Sequence, residues 1–207
     1  MGHINEVVPN MNDWIKKFDL KNYVETGIGE GSCLSYALQS PFQKFYSVEI
    51  HEQIYTKAKS KFETLLKGKQ KNYEIFLGNS YKILPRILEK LNGNTLFFLD
   101  AHYPGINFIN TARYESEPDY NTRIPCEKEI EVISSLRDTT NDIIIVDDLR
   151  LYMPGPYHGG PNPIPKRLSP TVNADFLYQA FNKTHKFTID YQSQGYMIIT
   201  PKRTNNE

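Results

Sequence analysis

The stretch Tyr23-Val24-Glu25-Thr26-Gly27-Ile28-Gly29-Glu30-Gly31-Ser32 decides how this chain is read. Strand-forming residues run into three alternate glycines, and beyond Ser32 the apolar spacing turns helical, which predicts a strand, a tight bend and a helix over residues 23–39. Glycine lacks Cβ and accepts a positive φ, so main chain in such a bend can press close to a ligand while the next helix offers free N–H groups. Ser32 stands where a dinucleotide GxGxxG fingerprint needs its third glycine. Glu25, at the strand end, suits a cationic amino acid better than a pyrophosphate. The expected ligand is therefore zwitterionic rather than polyphosphorylated.

Outward from the bend, Tyr46-Ser47-Val48-Glu49-Ile50 ends a second strand with an acid about 20 residues after the glycines, where it can accept both hydroxyls of a ribose. Such a charged hydrogen bond contributes roughly 1.5–3 kcal/mol. A nicotinamide dinucleotide would use the same acid, so Glu49 alone discriminates little, and a solvated strand-end glutamate is the plain alternative. Leu77-Gly78-Asn79-Ser80, after a third strand, offers polar groups to an adenine edge, although Gly-Asn-Ser is also ordinary turn chemistry.

The alternation continues along the chain. Strands are expected at residues 23–25, 44–50, 73–77, 95–100 and 143–147, and helices at 11–18, 32–39, 52–66, 84–91 and 127–136. In the helix over 52–66, Ile54, Tyr55, Ala58, Phe62, Leu65 and Leu66 fall on one face. A helix near 174–182 precedes two strands, 186–191 and 196–200, which lie too close in sequence to be anything but an antiparallel hairpin. One α/β domain over residues 1–207 is expected, with an N-terminal helical segment at 1–20. The connections 102–123 and 149–172 follow central strands and are read as substrate-side loops, the alternative being surface loops without function.

Composition narrows the partners. The 24 basic and 24 acidic residues balance to zero net charge, which argues against nucleic acid, and no apolar run is long enough to span a membrane. Only Cys33 and Cys126 occur, without CxxC spacing, and no basic-then-apolar export pattern opens the chain, so a reducing cytoplasm is expected. Homo-oligomerisation is left open.

VETGIGEGS resembles motif I of the class I S-adenosylmethionine-dependent methyltransferases, and YSVEI resembles their acidic ribose-binding position. The resemblance implies a Rossmann-like seven-stranded sheet in the order 3-2-1-4-5-7-6 with the last strand antiparallel and helices on both faces. It also implies S-adenosylmethionine as cofactor, held by Glu25, Thr26, Gly27, Gly29, Gly31 and Ser32 at the methionine end. Glu49 and Ile50 would serve the ribose, Asn79 and Ser80 the adenine side, and Asp100 would complete the site.

The fourth strand ends in Leu99-Asp100-Ala101-His102 and the fifth in Val146-Asp147-Asp148. Like charges about 4 Å apart repel by roughly 4 kcal/mol at an effective dielectric of 20, so carboxylates gathered at one rim call for a cation or raised pKa values. A helix-capping Asp147 or Asp148 pointing away is the alternative. Here the sequence is similar to metal-dependent macrolide-sugar O-methyltransferases and cephalosporin-hydroxylase-like relatives. That similarity implies Asp100, Asp147 and Asp148 as ligands of a divalent metal, expected to be Mg²⁺.

An alcohol is scarcely ionised at neutral pH, so the metal would lower the pKa of a substrate hydroxyl while His102 or Asp100 takes the proton. A histidine merely hydrogen-bonded within the rim fits the same letters. The expected function is O-methylation of a small polyhydroxylated acceptor, a sugar or nucleotide-linked sugar. The alternatives are a noncatalytic cofactor-binding protein or a methyltransferase for another small-molecule class. In the later loop, His158, Lys166 and Arg167 could meet an anionic group, and Tyr152 and Tyr157 could pack on a sugar ring.

Overall fold

The structure, a computed structural model, describes residues 3–102, 117–159 and 173–202. Lys166 and Arg167, and the larger part of both expected substrate-side loops, lie outside the described residues. In chain order the elements are α1 (Ile4–Val7), α2 (Met11–Phe18), β1 (Leu20–Thr26), α3 (Ser32–Ala37), β2 (Lys44–Glu49), α4 (Glu52–Leu65), β3 (Tyr73–Leu77) and α5 (Ser80–Leu88). They continue with β4 (Asn94–Leu99), α6 (Tyr120–Arg123), α7 (Cys126–Leu136), β5 (Ile143–Val146), a 3₁₀ turn (Leu149–Leu151), α8 (Asp175–Phe181), β6 (His185–Asp190) and β7 (Tyr196–Pro201).

Seven strands form one sheet in the order β3-β2-β1-β4-β5-β7-β6. The first five in this row run parallel, and β7 is antiparallel to both β5 and β6, as the expected architecture requires. The parallel strands read as continuous apolar runs because both faces are covered. One face packs Val24, Phe97, Leu99, Ile144 and Val146 under α5, α7 and α8. The other packs Tyr23, Phe45, Leu96, Phe98 and Ile145 under α1 to α4. Among the described residues, no helix is long and apolar enough to cross a membrane.

The register aligns one rim of the sheet. Thr26 pairs with Leu99, Leu99 with Val146, and Thr26 with Val48. The next residue of each strand therefore emerges at one level, which brings Gly27, Asp100, Asp147 and Glu49 to the same carboxyl edge.

Three local expectations change. α5 begins at Ser80, four residues before the expected start, and carries Pro85 inside it. The proline removes one backbone donor, but the buried stripe of Leu84, Ile87 and Leu88 holds the helix continuous through it. In α4, Leu65 is exposed while Leu66 turns inward. Tyr152 and Tyr157 are buried in protein: Tyr152 meets Phe176 edge to face, and Tyr157 packs on Tyr191 while donating its hydroxyl to the Met153 carbonyl. Neither offers a face to a sugar.

At the opposite edge, Arg137 grips the buried Asp142, Nε to Oδ2 at 2.6 Å and Nη2 to Oδ1 at 3.0 Å, and the Thr95 amide also donates to Oδ1. Removing one partner of a buried pair strands the other charge. Arg137→Ala is expected to lower unfolding stability by about 3 kcal/mol, seen in urea as an earlier midpoint at unchanged slope. A loss below about 1 kcal/mol would remove this pair from the account of stability.

Candidate functional site

The glycine bend follows from backbone sterics. Gly27, Gly29 and Gly31 have φ of 81°, 50° and 73°, a region that side-chain-bearing residues rarely adopt. At Gly27 the bend also touches the neighbouring strand, since a Cβ there would lie 2.6 Å from the Asp100 carbonyl oxygen. The Gly27 amide donates to the Val48 carbonyl at 2.9 Å, and the Asp100 amide to the Thr26 carbonyl at 3.1 Å. The bend is thus anchored to both neighbouring strands. Ser32 opens α3 beyond it.

Glu49 closes the bend from β2. Its Oε2 accepts from the Gly29 amide at 3.2 Å and its Oε1 from the His51 amide at 2.9 Å. Burial raises its pKa, with both amide donors opposing. Each oxygen keeps a second lone pair, so the carboxylate can still accept from a diol. Ile50 follows it and packs partly buried against the core.

Glu25 is sealed beneath the bend. Tyr23 donates its hydroxyl to Oε2 at 2.9 Å and Ser47 to Oε1 at 2.8 Å. Burial pushes its pKa up to about 7 despite those donors. Both partners lie on the strands that lead to the bend, Tyr23 on β1 and Ser47 on β2.

A second cluster of acids lies where β4 and β5 finish. Asp100, His102 and Asp148 bring ligand atoms within 4.8 Å of one another. His102 Nε2 contacts Asp148 Oδ2 closely and stands 3.6 Å from Asp100 Oδ1. Asp148 holds a left-handed backbone, φ 50° and ψ 44°, which turns the chain abruptly after β5. Its Oδ1 lies 3.3 Å from Arg150 Nε. Burial opposes ionisation of Asp148, but His102 and Arg150 outweigh it and hold its pKa low.

Asp147 is outside that three-residue group. Its Oδ1 accepts from the Asp148 amide at 2.7 Å, while its buried Oδ2 has no hydrogen-bond partner. Burial and then the Asp148 charge push its pKa to about 7. Asp100 is raised well above the ordinary range, first by burial and then by Asp147 and Asp148. Two carboxylates, an imidazole and an orphaned buried carboxylate oxygen are a donor set suited to a divalent cation.

At the end of β3, Asn79 donates from Nδ2 to the Thr122 hydroxyl at 3.0 Å and leaves its buried Oδ1 without a partner. Ser80 is buried beside it. His158, in the later loop, is exposed, and its amide is tied to the Tyr191 carbonyl.

Three contributors escaped the motif reading: Arg150, Thr122 and Glu129. Glu129 left a signal, because it occupies an inward position of the α7 stripe of Cys126, Ile130 and Ile133. Its carboxylate is fully buried with neither oxygen hydrogen-bonded, and burial pushes its pKa up to about 7 against the opposing pull of Ser80, Thr26 and His102.

No protein-family model and no curated protein matches the chain. Among solved structures, a candidate caffeoyl-CoA O-methyltransferase from Staphylococcus aureus aligns over 95% of this chain and 83% of its own, at 16% identity and a TM-score of 0.62. An O-methyltransferase from Bacillus cereus, solved with SAH, aligns over 93% of this chain and 79% of its own, at 13% identity and TM-score 0.53. SAM-bound CalS10, an amino pentose methyltransferase from Micromonospora echinaspora involved in calicheamicin biosynthesis, aligns over 96% and 91%, at 9% identity and TM-score 0.52.

An acid that ionises less readily when folded stabilises the fold fully below its unfolded pKa, and loses that contribution as pH rises through its folded value. Glu25 and Glu129 move from 4.5 to about 7, and Asp147 from 3.8 to about 7. The melting temperature of the ligand-free protein is therefore expected to fall between about pH 4.5 and about pH 7, and Glu25→Gln should flatten the fall. A melting temperature that rises across this window in calorimetric scans contradicts the assigned shifts.

At these identities the shared architecture establishes the fold: the chain is built on the Rossmann-like methyltransferase sheet.

Proposed function

We propose that the protein is an S-adenosylmethionine-dependent O-methyltransferase that modifies a hydroxyl of a small polyhydroxylated acceptor, a sugar or nucleotide-linked sugar, with a divalent cation such as Mg²⁺. The observation that carries this reading is the convergence of Asp100, His102 and Asp148 beside a glycine bend whose Gly27 lies against Asp100. Methyl transfer needs a sulfonium held close to main chain and, next to it, a means of activating a hydroxyl. Both requirements meet at one rim.

The chain's residues divide the work. Gly27, Gly29 and Gly31, with Thr26 and Ser32, let the cofactor's methionine end approach backbone, and Glu49 accepts from its ribose. Glu25, at the end of β1, would serve the same methionine end. Asp100, Asp147 and Asp148 would hold the cation, with His102 within ligand reach. When bound, the ion would lower the pKa of a coordinated hydroxyl, and vicinal hydroxyls would favour chelation. His102, oriented by Asp148, takes the proton, and the ion pair of Arg150 with Asp148 steadies that orientation.

The balanced charge fits a small-molecule acceptor rather than a phosphate backbone. CalS10 supports a sugar acceptor only as a precedent on this fold.

Transfer of a labelled methyl group to pooled sugar nucleotides, measured with and without chelator, tests the reading. Chelation should abolish turnover, and His102→Ala at saturating Mg²⁺ should cut kcat by about 10²-fold or more. Unchanged turnover in His102→Ala removes that residue from proton transfer. Adenosylhomocysteine binding without transfer to any acceptor would instead favour a noncatalytic binder.

Gly27→Ala should weaken adenosylhomocysteine binding by at least about tenfold in calorimetry, because its Cβ would collide with the Asp100 carbonyl. Equal binding by this variant would mean that the bend does not hold the cofactor.

A further inference from the structure

β3 ends the row of strands, so one of its edges has no neighbouring strand. The Phe45 amide donates to the Asn72 carbonyl and the Gly78 amide to the Glu49 carbonyl, which fixes the side that faces β2. Peptide groups alternate in direction along a strand, so Asn72, Glu74, Phe76 and Gly78 turn theirs toward β2, and Tyr73, Ile75 and Leu77 turn theirs outward. Among the described residues, nothing hydrogen-bonds to the outward three. The Leu77 side chain is 41% exposed beside them.

The charge around this edge has one sign. The chain as a whole is neutral, yet residues 57–90 hold nine lysines and arginines against three glutamates. Arg86, exposed on α5, places its guanidinium 5.3 Å from the Phe76 ring centre, and Lys90, just past that helix, reaches the same ring at 5.0 Å. On the other face, where Tyr73 packs on Phe62 of α4 at 6.3 Å, Lys59 is exposed and lies over the Tyr55 ring at 5.7 Å. Lys71, just before β3, donates to the Ser40 carbonyl at 3.0 Å. Of these four cations, only Lys90 is in a salt bridge among the described residues, with Glu74. Rings and carbonyls hold the other three in place without neutralising them.

An open edge needs a deterrent against pairing, and lysines supply one. Cations alone deter selectively: they repel a second copy of the same edge and attract an acidic strand. We propose that the outer edge of β3 is a docking site for an acidic, extended segment of a partner protein, which joins the sheet as an added strand. The segment's peptide groups would meet those of Tyr73, Ile75 and Leu77, and its side chains would fall alternately on the Lys59 face and on the face of Arg86 and Lys90. Main-chain pairing supplies affinity, and the cations choose the partner. A phosphate backbone brings no amide donors to the outward carbonyls, so the row of peptide groups favours a polypeptide. The proposal does not depend on the cofactor reading.

A labelled peptide of about eight residues, alternating Glu and Val, tests the docking on the whole chain by fluorescence anisotropy. Its binding should weaken as salt rises, and should fall by at least about tenfold when Lys59→Glu and Arg86→Glu are combined. Both positions are exposed, so the variant keeps its fold. Hydrogen exchange followed by NMR should show the amides of Tyr73, Ile75 and Leu77 newly protected when the peptide binds. Charge attraction without strand addition would leave those three amides unprotected, and that result overturns the proposal. It is equally overturned if the acidic peptide does not bind, if the double variant binds it unchanged, or if a Lys and Val counterpart binds as tightly. Binding of oligouridylate in place of the peptide would assign the edge to a phosphate backbone instead.

Discussion

The level at which the central strands end governs everything that happens at the rim. Because Thr26, Leu99 and Val146 are paired in one row, the chain leaves β1, β4 and β5 at the same height, and Gly27, Asp100 and Asp147 follow side by side. A slip of one residue in any of these ladders would exchange the faces of its strand and send an acid into an apolar layer. The apolar layers therefore hold the chemistry in place: Val24, Phe97, Leu99 and Ile144 fix the register that brings the carboxylates together.

That gathering has an electrostatic cost, which the protein divides unevenly. Asp148, beside His102 and Arg150, stays readily ionised, whereas Asp100 and Asp147, in nearly the same environment, resist ionisation. Neighbouring acids with separated proton affinities commonly serve different roles in one site. Glu25 and Glu129 extend the pattern, each fully buried with its pKa pushed up to about 7, Glu25 accepting from the Tyr23 and Ser47 hydroxyls.

The architecture was legible because its signals are local and repeated. Strand and helix periods alternate five times, the three glycines mark the bend, and the brief link between the last two strands leaves only a hairpin. The acids at the strand ends were legible for the same reason, since a polar residue closing an apolar run stands out. What was hidden depends on rotation about helix axes and on long-range pairing. Glu129 lies on the buried stripe of α7, but its sequence neighbourhood of alternating acids resembles a solvated face. Tyr152 and Tyr157, placed in a loop of prolines and glycines, gave no sign that Phe176 and Tyr191 would enclose them. The approach of His102 to Asp148 joins residues from two strands and requires the left-handed turn at Asp148, which no spacing announces.

The segment that leaves β5 is bound along its length to the turn between β6 and β7. Leu149 and Arg150 donate their amides to the carbonyls of Gly195 and Gln194, and farther on His158 and Gly159 donate to those of Tyr191 and Ser193. The Tyr157 ring fills the space beside Gly195, where a Cβ would come within 2.2 Å of it. These two stretches, more than 30 residues apart in sequence, are joined as one structural unit. A graft that borrows the post-β5 loop from another protein of this fold must carry the matching turn, with its glycine, or the transplanted loop will have nothing to lie against.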